Sequence, residues 1–408
     1  MRFLLLCTKF PTKPGETHLT NQLALALGAA GHTVTVVAID WANRSGALPH
    51  TFGPGPGVTV LAVPPSTFTG AGRFIERATK WLFSPLRAVN LARKHLAREE
   101  FDAILCISPC TAVSACLVWA VRRFRTFNVL LIHDFFPFHH RSIGLLRGPA
   151  FVICRFLEGW LMRKFHVLAP LLPSNIEYLK AHYRIRPQQR LTCIPIWTSL
   201  EPITAPPRDT VRTAFGLPLD RTIVVFGGQI TEGRGIEEIL VAAAIAERER
   251  PDLFFLFVGD GRLTHLIQAK LTGGASNIGL ISRIPTNKYQ ELLSACNVGL
   301  AVTVRGVESF SFPSKTLDYL KVGIPIVGAV EEGNDYHAFV RDWGVGRSVA
   351  AGAPHALVEA ITSVVDDLDF CRDAKRNAWR CLHEVFDVNK IATRIVSLIP
   401  CVPPHRPG

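Results

Sequence analysis

The chain holds no CxxC pair, no Gly-x-Gly-x-x-Gly turn and no Gly-Lys-Ser/Thr phosphate loop. The first absence removes the commonest short-range thiol pattern for zinc or dithiol chemistry. The other two remove the glycine fingerprints of the usual dinucleotide and P-loop folds. Long hydrophobic runs are also scarce. The uncharged stretch from Ala103 to Val121 is broken by Ser108-Pro109 and contains Thr111 and Ser114. It reads as a buried strand, a turn and a packed helix, not as a membrane span. The opening Met1 to Cys7 has too short an apolar core and runs into Lys9 and Pro11, so no signal peptide is expected. Negative charge is in deficit: 33 Asp and Glu stand against 45 Lys and Arg, a formal charge of +12. That balance suits phosphates or the anionic face of a membrane. The basic residues come with no nucleic-acid reading motif, so nucleic acid is not an expected partner.

What is present is a globular composition. Of 408 residues, 48% are hydrophobic, enough to give two domains a core each and to exclude global disorder. The ten cysteines sit mostly in apolar runs and read as small buried hydrophobes in a reducing compartment. Phe3 to Cys7 suits a strand buried on both faces. Leu19, Leu23 and Leu27 then repeat at helical spacing up to Gly31, and Thr33 to Ile39 is a β-branched strand. This β-loop-α-β unit continues through strands at Val58 to Val63, Ala103 to Ile107, Val129 to Ile132 and around His166 to Leu172. Pro195 to Pro218 has linker composition. Alternation restarts with strands at Thr222 to Phe226, Leu253 to Val258, Asn277 to Leu280, Val298 to Val302 and Ile324 to Ala329. Helical patterns close the chain from Ala353 to Asp366 and from Phe370 to Ile399. The expected class is α/β, with two Rossmann-like doubly wound domains, 1–200 and 201–385, facing a cleft. Residues 386–408 are read as a C-terminal helix and loose tail, with a crossing back to the N-terminal domain as one option.

Open parallel sheets bind ligands beyond the carboxyl ends of their strands, so the loops there carry the candidates. In Phe312-Pro-Ser-Lys-Thr-Leu-Asp-Tyr-Leu-Lys-Val-Gly-Ile-Pro-Ile-Val327, Pro313 suits a first helical turn. The unpaired N–H groups there, with Ser314 and Lys315, can hold a diphosphate, and Asp318 one turn on can accept from a ribose. An ordinary capped helix accounts for the same residues. Gly227-Gly-Gln-Ile-Thr-Glu-Gly-Arg-Gly235 allows close approach to phosphate, with Arg234 able to fork onto two oxygens; a plain turn is the alternative. Gly259-Asp-Gly261 is a second strand-end turn, against which a base or ribose could pack; a tight turn with an Asp cap is the alternative. In the first half, His133-Asp134 places an imidazole beside a carboxylate at a strand end; a satisfied structural histidine is the alternative. His139 and His140 lie close by, but no carboxylate at ligand spacing accompanies them and no metal site is assigned. Asp366-Asp-Leu-Asp369 reads as a capping turn rather than a metal motif.

Together these pieces resemble glycosyltransferase family 4 of the GT-B fold, over almost the whole chain and in the expected order. The resemblance rests on the Pro14-Gly15 loop with Gly31-His-Thr-Val34, on Gly227-Gly228 to Gly235-Ile236 and on Val258-Gly-Asp-Gly261. Most specific is Pro313 to Val327, which is similar to the Pro-Ser-Lys-x-x-Glu-Tyr-x-x-x-Gly-x-Pro-Val pattern of bacterial surface-polysaccharide enzymes. His133-Asp-Phe-Phe-Pro137 resembles their Arg-Asp-Leu-Trp-Pro loop. The resemblance implies transfer of a hexose-type unit from a nucleotide diphosphate sugar to a glycan or lipid-linked acceptor, with retention and without cofactor or essential metal. It implies donor contacts from Gly15, Gly228, Arg234, Gly259, Asp260, Pro313, Ser314, Lys315 and Asp318. The catalytic group would draw on His133, Asp134 and Glu308. Three departures stand out: Gln229 replaces a basic contact, Asp318 replaces a longer Glu, and Phe310 occupies the place of a further Glu, with Glu308 two residues away. Other readings on the same fold are a nucleotide-sugar 2-epimerase and a non-catalytic sugar-nucleotide scaffold. The expected location is cytoplasmic, with a peripheral place on the inner membrane face as one option: the basic and apolar stretch from Phe74 to Arg98 suits an anionic surface, and a solvated basic helix is the alternative.

Overall fold

The computed structural model describes all residues except 12–15, 42–47, 67–72, 143, 202, 307–310 and 401–408, and for 73–75, 77 and 78 the backbone alone. The expectations placed on Gly15, Glu308, Phe310 and the end of the tail therefore lie outside the described residues. Contacts gather the chain into two units: Met1–Ser199 joined by the stretch from Val388, and Leu200–Asp387.

The first unit is built on strands β1 (Arg2–Cys7), β2 (Thr33–Ile39), β3 (His50–Gly55), β4 (Val58–Val63), β5 (Ala103–Ile107), β6 (Phe127–Ile132), β7 (Val167–Pro170) and β8 (Arg190–Leu191). Its helices are α1 (Leu19–Ala29), α2 (Arg73–His95), α3 (Ser114–Phe124), α4 (Phe138–Ser142), α5 (Gly148–Met162) and α6 (Pro173–His182). The sheet order is β3-β4-β2-β1-β5-β6-β7-β8, parallel except for the β3–β4 hairpin. Without its edge strands that is the 3-2-1-4-5-6 winding of a Rossmann domain. Side-chain alternation along β1 shows why a strand with apolar residues on both faces fits here. Leu4 and Leu6 join the core under α2, α3 and α5, while Phe3, Leu5 and Cys7 join the core under α1. Ala103 to Val121 resolves into β5, a 3₁₀ turn at Cys110–Val113 and most of α3. Among the described residues no helix is long and apolar enough to cross a membrane.

The second unit holds α7 (Arg208–Ala214), β9 (Thr222–Gly227), α8 (Ile236–Glu249), β10 (Leu253–Val258), α9 (Thr264–Thr272), β11 (Ile278–Ile281), α10 (Thr286–Ser294), β12 (Val298–Val302), α11 (Lys315–Val322), β13 (Ile326–Val330), α12 (Tyr336–Asp342), β14 (Gly346–Ala350), α13 (Pro354–Val365) and α14 (Leu368–Cys381). Its sheet, β11-β10-β9-β12-β13-β14, has the same winding and is parallel throughout. One expectation needs correction. The proline-rich stretch from Pro195 to Pro218 is not all linker, because α7 forms inside it. The buried Arg212 explains why: its guanidinium donates to the carbonyls of Ala295 (3.0 Å), Pro218 (3.1 Å) and Arg221 (2.8 Å) and to Asn297 Oδ1 (2.8 Å). Asn297 Oδ1 also accepts from the N–H of Ile223 in β9, so α7 is fixed to the second sheet. The helical pattern from Phe370 to Ile399 is likewise interrupted: a π-helical turn at Leu382–Phe386 and the extended Asp387 separate α14 from α15 (Val388–Ser397). Val388, Ile391, Ala392 and Ile395 of α15 enter the core of the first unit beneath α1. Asp367 caps α14 through the N–H of Phe370 (2.9 Å), the capping role read for that acidic turn.

Candidate functional site

In the second unit the expected donor residues gather at the carboxyl edge of the sheet, beside the β9–β12 switch point. The loops after β9 and β10 lie backbone to backbone: Gly228 N–H donates to Val258 O (2.9 Å) and Ile230 N–H to Asp260 O (3.0 Å). A Cβ on Gly259, which has φ +145°, would come within 1.9 Å of Gly228 O, and one on Gly261 within 2.0 Å of Ile230 O. Only glycine permits this packing. The Asp260 carboxylate accepts the N–H of Arg283 (3.1 Å), which ties the loop to the segment after β11.

Across the switch point α11 begins at Lys315. Pro313 is buried, and Ser314, at the cap position, is exposed and makes no side-chain cap. The sequence placed Pro313 within the first turn; it lies just before it, and its carbonyl accepts from Thr316 N–H (3.0 Å). Lys315 Nζ lies 3.5 Å from the centre of the Phe226 ring, the last aromatic of β9. Burial, with the neighbouring Arg234 guanidinium, holds its ammonium well below the usual lysine range. Arg234 is exposed on the loop before α8. Among the described residues neither cation has a carboxylate partner. The result is uncompensated positive charge at a helix start, where an anion restores the balance. Asp318, one turn on and half-buried, is pushed up to about 6 by burial, against the pull of Lys321. Sequence reasoning missed Tyr319. Its hydroxyl accepts Gly227 N–H (3.3 Å) and donates to Leu300 O (3.0 Å), joining α11 to the end of β9 and the middle of β12.

In the first unit, His133 and Asp134 follow β6. Both backbone N–H groups donate to Ser108 Oγ (3.0 and 3.3 Å), after β5. The His133 ring meets Trp197 edge-on at 5.2 Å. Its Nε2 is buried and, among the described residues, has no hydrogen-bond partner. Burial pushes the imidazole down to about 4, so it is neutral near pH 7, while Asp134 is exposed. Sequence reasoning also missed His18, which caps α1 on the loop after β1 and accepts Thr20 N–H (3.3 Å). Burial, Lys9 and His133 push it down to about 4 as well. Its location on the loop beyond β1 was the available signal. Glu158 of α5 holds the same region from below: its buried carboxylate accepts the N–H groups of Cys110 and Thr111, each at 2.8 Å. Burial raises it to about 7 against those bonds. His139 and His140 lie on α4. Among the described residues no group of three His, Cys, Asp or Glu converges for a metal.

Two family models divide the chain between them: a glycosyl transferase 4-like domain matches residues 15–197 and glycosyl transferases group 1 matches 207–380. A curated relative from Pseudomonas aeruginosa, named as glycosyltransferase WbjE, is 24% identical over 243 residues, 58% of this chain. The match spans 60% of that protein's length. Among solved structures, sucrose-phosphate synthase from Thermosynechococcus elongatus superposes with a TM-score of 0.75 at 17% identity, covering 98% of both chains. HepE from Anabaena, in complex with UDP-glucose, superposes with a TM-score of 0.68 at 16% identity, covering 98% of this chain and 99% of HepE. Both share the two-domain GT-B fold.

Proposed function

Because this chain is a GT-B glycosyltransferase of the family 4 type, we propose that it moves a hexose-type unit from a nucleotide diphosphate sugar to a glycan or lipid-linked acceptor. The observation that carries this reading is Lys315 at the start of α11, seated on Phe226 beside Arg234, with no carboxylate partner among the described residues. A diphosphate leaving group gathers negative charge as the glycosidic bond breaks, and preorganised cations with a helix start stabilise it where other transferases use a metal. The reaction is proposed to proceed with retention and without an essential metal. Asp318 would accept from the ribose, and the glycine loops at Gly228 and Gly259 would let the nucleotide approach the backbone. HepE, which was solved with UDP-glucose, supports a nucleotide-sugar donor.

On the acceptor side, the neutral His133 can take or give a hydrogen bond at Nε2, and Asp134 supplies an exposed carboxylate. Charge supports an anionic membrane or lipid-linked partner for the first unit: residues 1–199 and 388–408 hold 26 Lys and Arg against 9 Asp and Glu. The second unit holds 19 against 24. Leu82 and Leu86, exposed on α2 beside its basic residues, fit a peripheral position on the cytoplasmic membrane face.

The test is a panel of nucleotide diphosphate sugars, scored by the rise in melting temperature and by slow donor hydrolysis, with and without chelator. At least one donor is expected to bind, and chelation to leave turnover unchanged. Lys315→Ala and Arg234→Ala are each expected to weaken binding by about tenfold, the loss of one charge-assisted contact. Absence of binding and turnover with every donor sinks the reading, and unchanged kinetics in both variants moves the site elsewhere.

A further inference from the structure

At the opposite end of the first sheet lies a cavity of about 790 Å³ that the reaction does not use. It opens where β6, β7 and β8 begin, between the end of α3, the end of α5 and the segment before β8. Arg125, Arg163, Lys164 and Arg186 line it, and no Asp or Glu does. None of the four has a carboxylate partner among the described residues. Substrates of open parallel sheets lie beyond the carboxyl ends of the strands. His133 follows that end of β6, and six residues of strand separate the two ends by about 20 Å.

The cavity is held open by its framework. Arg125, the one non-glycine residue at positive φ (51°) among those described, ends α3 in a left-handed turn. Asn128 Nδ2 donates to Lys164 O (2.9 Å), and Gln189 Nε2 to the carbonyls of Met162 and Phe165 (2.9 Å each). Those amides fix the turn that presents Arg163 and Lys164. Lys164 Nζ stands 3.8 Å from the centre of the Trp160 ring, a cation held over an aromatic face. Burial, with Arg122, Arg186 and Arg163, pushes that ammonium down, as expected of cations gathered without an anion. Like charges gathered around one cavity cost free energy, and a bound multivalent anion reverses the sign of that cost.

We propose that this cavity is a second anion site, distinct from the donor site, which binds a phosphate-bearing ligand through Arg125, Arg163, Lys164 and Arg186. Two sources offer that chemistry: a free phosphate compound and a lipid headgroup. The second is prompted by the surroundings. Trp160 and Arg163 also line an adjoining groove with Val152 and Phe156, which are 63% and 72% exposed.

The experiment is equilibrium dialysis of the full chain against labelled inorganic pyrophosphate, with sedimentation of phosphatidylglycerol and phosphatidylcholine vesicles as the lipid arm. With the donor site intact, two equivalents of pyrophosphate are expected; Lys315→Ala removes one and Arg163→Ala/Arg186→Ala removes the other, weakening it by at least about tenfold. If the donor reading fails, wild type binds one equivalent and Arg163→Ala/Arg186→Ala still removes it. Arg163→Lys/Arg186→Lys is expected to recover part of the binding, which a merely misfolded variant cannot. Vesicle binding that requires phosphatidylglycerol, is lost in the double Ala variant and is competed by pyrophosphate assigns the lipid source. Pyrophosphate binding without vesicle binding assigns the free compound. The site is overturned if wild type binds no pyrophosphate beyond the equivalent lost in Lys315→Ala. It is overturned equally if Arg163→Ala/Arg186→Ala binds as wild type does, or if Arg376→Ala/Arg380→Ala, on α14 of the other unit, lowers binding as much.

Discussion

At neutral pH the Asp318 carboxylate carries a charge that its surroundings disfavour. Its folded value of about 6 lies above the ordinary 3.8, so the folded chain keeps this proton to higher pH than the unfolded chain does. The native state gains from that difference below 3.8 to 6, and its stability falls as pH rises through this window. Above it the cost is fully present, on the order of 1 kcal/mol once partial exposure is discounted. Asp318→Asn is therefore expected to raise the melting temperature at about pH 8 and to leave it nearly unchanged at about pH 4, while weakening nucleotide-sugar binding. A pH-independent change in calorimetric melting would show that burial of the charge is not the cause. Lys315 differs in sign: its depressed value means the unfolded chain binds the proton more readily, so the folded state is penalised at low pH and relieved by an anion. The sequence made both residues legible, because a Pro-Ser-Lys start before a helical stretch is a local signal. It hid His18, whose importance comes from standing near His133, far along the chain.

At the scale of elements, the turn Cys110–Val113 shows how one helix sets the loop of another. Glu158 of α5 accepts two N–H groups from it, and Ser108 just before accepts two from His133 and Asp134. Glu158→Gln keeps the shape but offers one acceptor oxygen for two donors and points an NH₂ at the second. Its expected cost is about 1–3 kcal/mol, read as a lower urea midpoint. Turnover is expected to fall further than the residual stability explains, because the His133 backbone loses its register; turnover equal to wild type would leave Glu158 a purely structural group. Strands such as Leu253–Val258 and Val298–Val302 were readable because parallel strands buried on both faces carry no polar side chain, and Thr33–Ile39 and Val58–Val63 because they are rich in valine and threonine. Helix α5 was not, since Val152, Ile153 and Phe156 face outward and blur its amphipathic period. Helix α7 was masked by Pro206 and Pro207, which mark a turn and a helix start equally well.

At the scale of the molecule, the last helix belongs to the first unit although some 190 residues of the second come before it. Ile395 of α15 is fully buried in the core under α1. Ile395→Ala is expected to cost about 2–4 kcal/mol, from lost transfer energy and the cavity left behind. In urea unfolding followed at two wavelengths, the loss should fall on the transition of the first unit. A loss confined to the second unit would contradict the docking of α15. Net charge divides the same way, +17 on the first unit and −5 on the second, so phosphate and membrane chemistry outside the donor site is expected on the first.

The sequence by itself determined the alternation of strand and helix, the restart after residue 218 and the presence of a helix beginning close to Pro313, since each is written in neighbouring residues. The tertiary structure alone decided what depends on distance along the chain. Arg212 becomes a buried anchor only against Ala295, 83 residues on, and Glu158 a loop tie only against Cys110, 48 residues back. The cluster at Arg125, Arg163, Lys164 and Arg186 exists only because the amino ends of three parallel strands meet there. A charge in a sequence has no partner until folding supplies one or withholds it, and burial then sets what that charge costs.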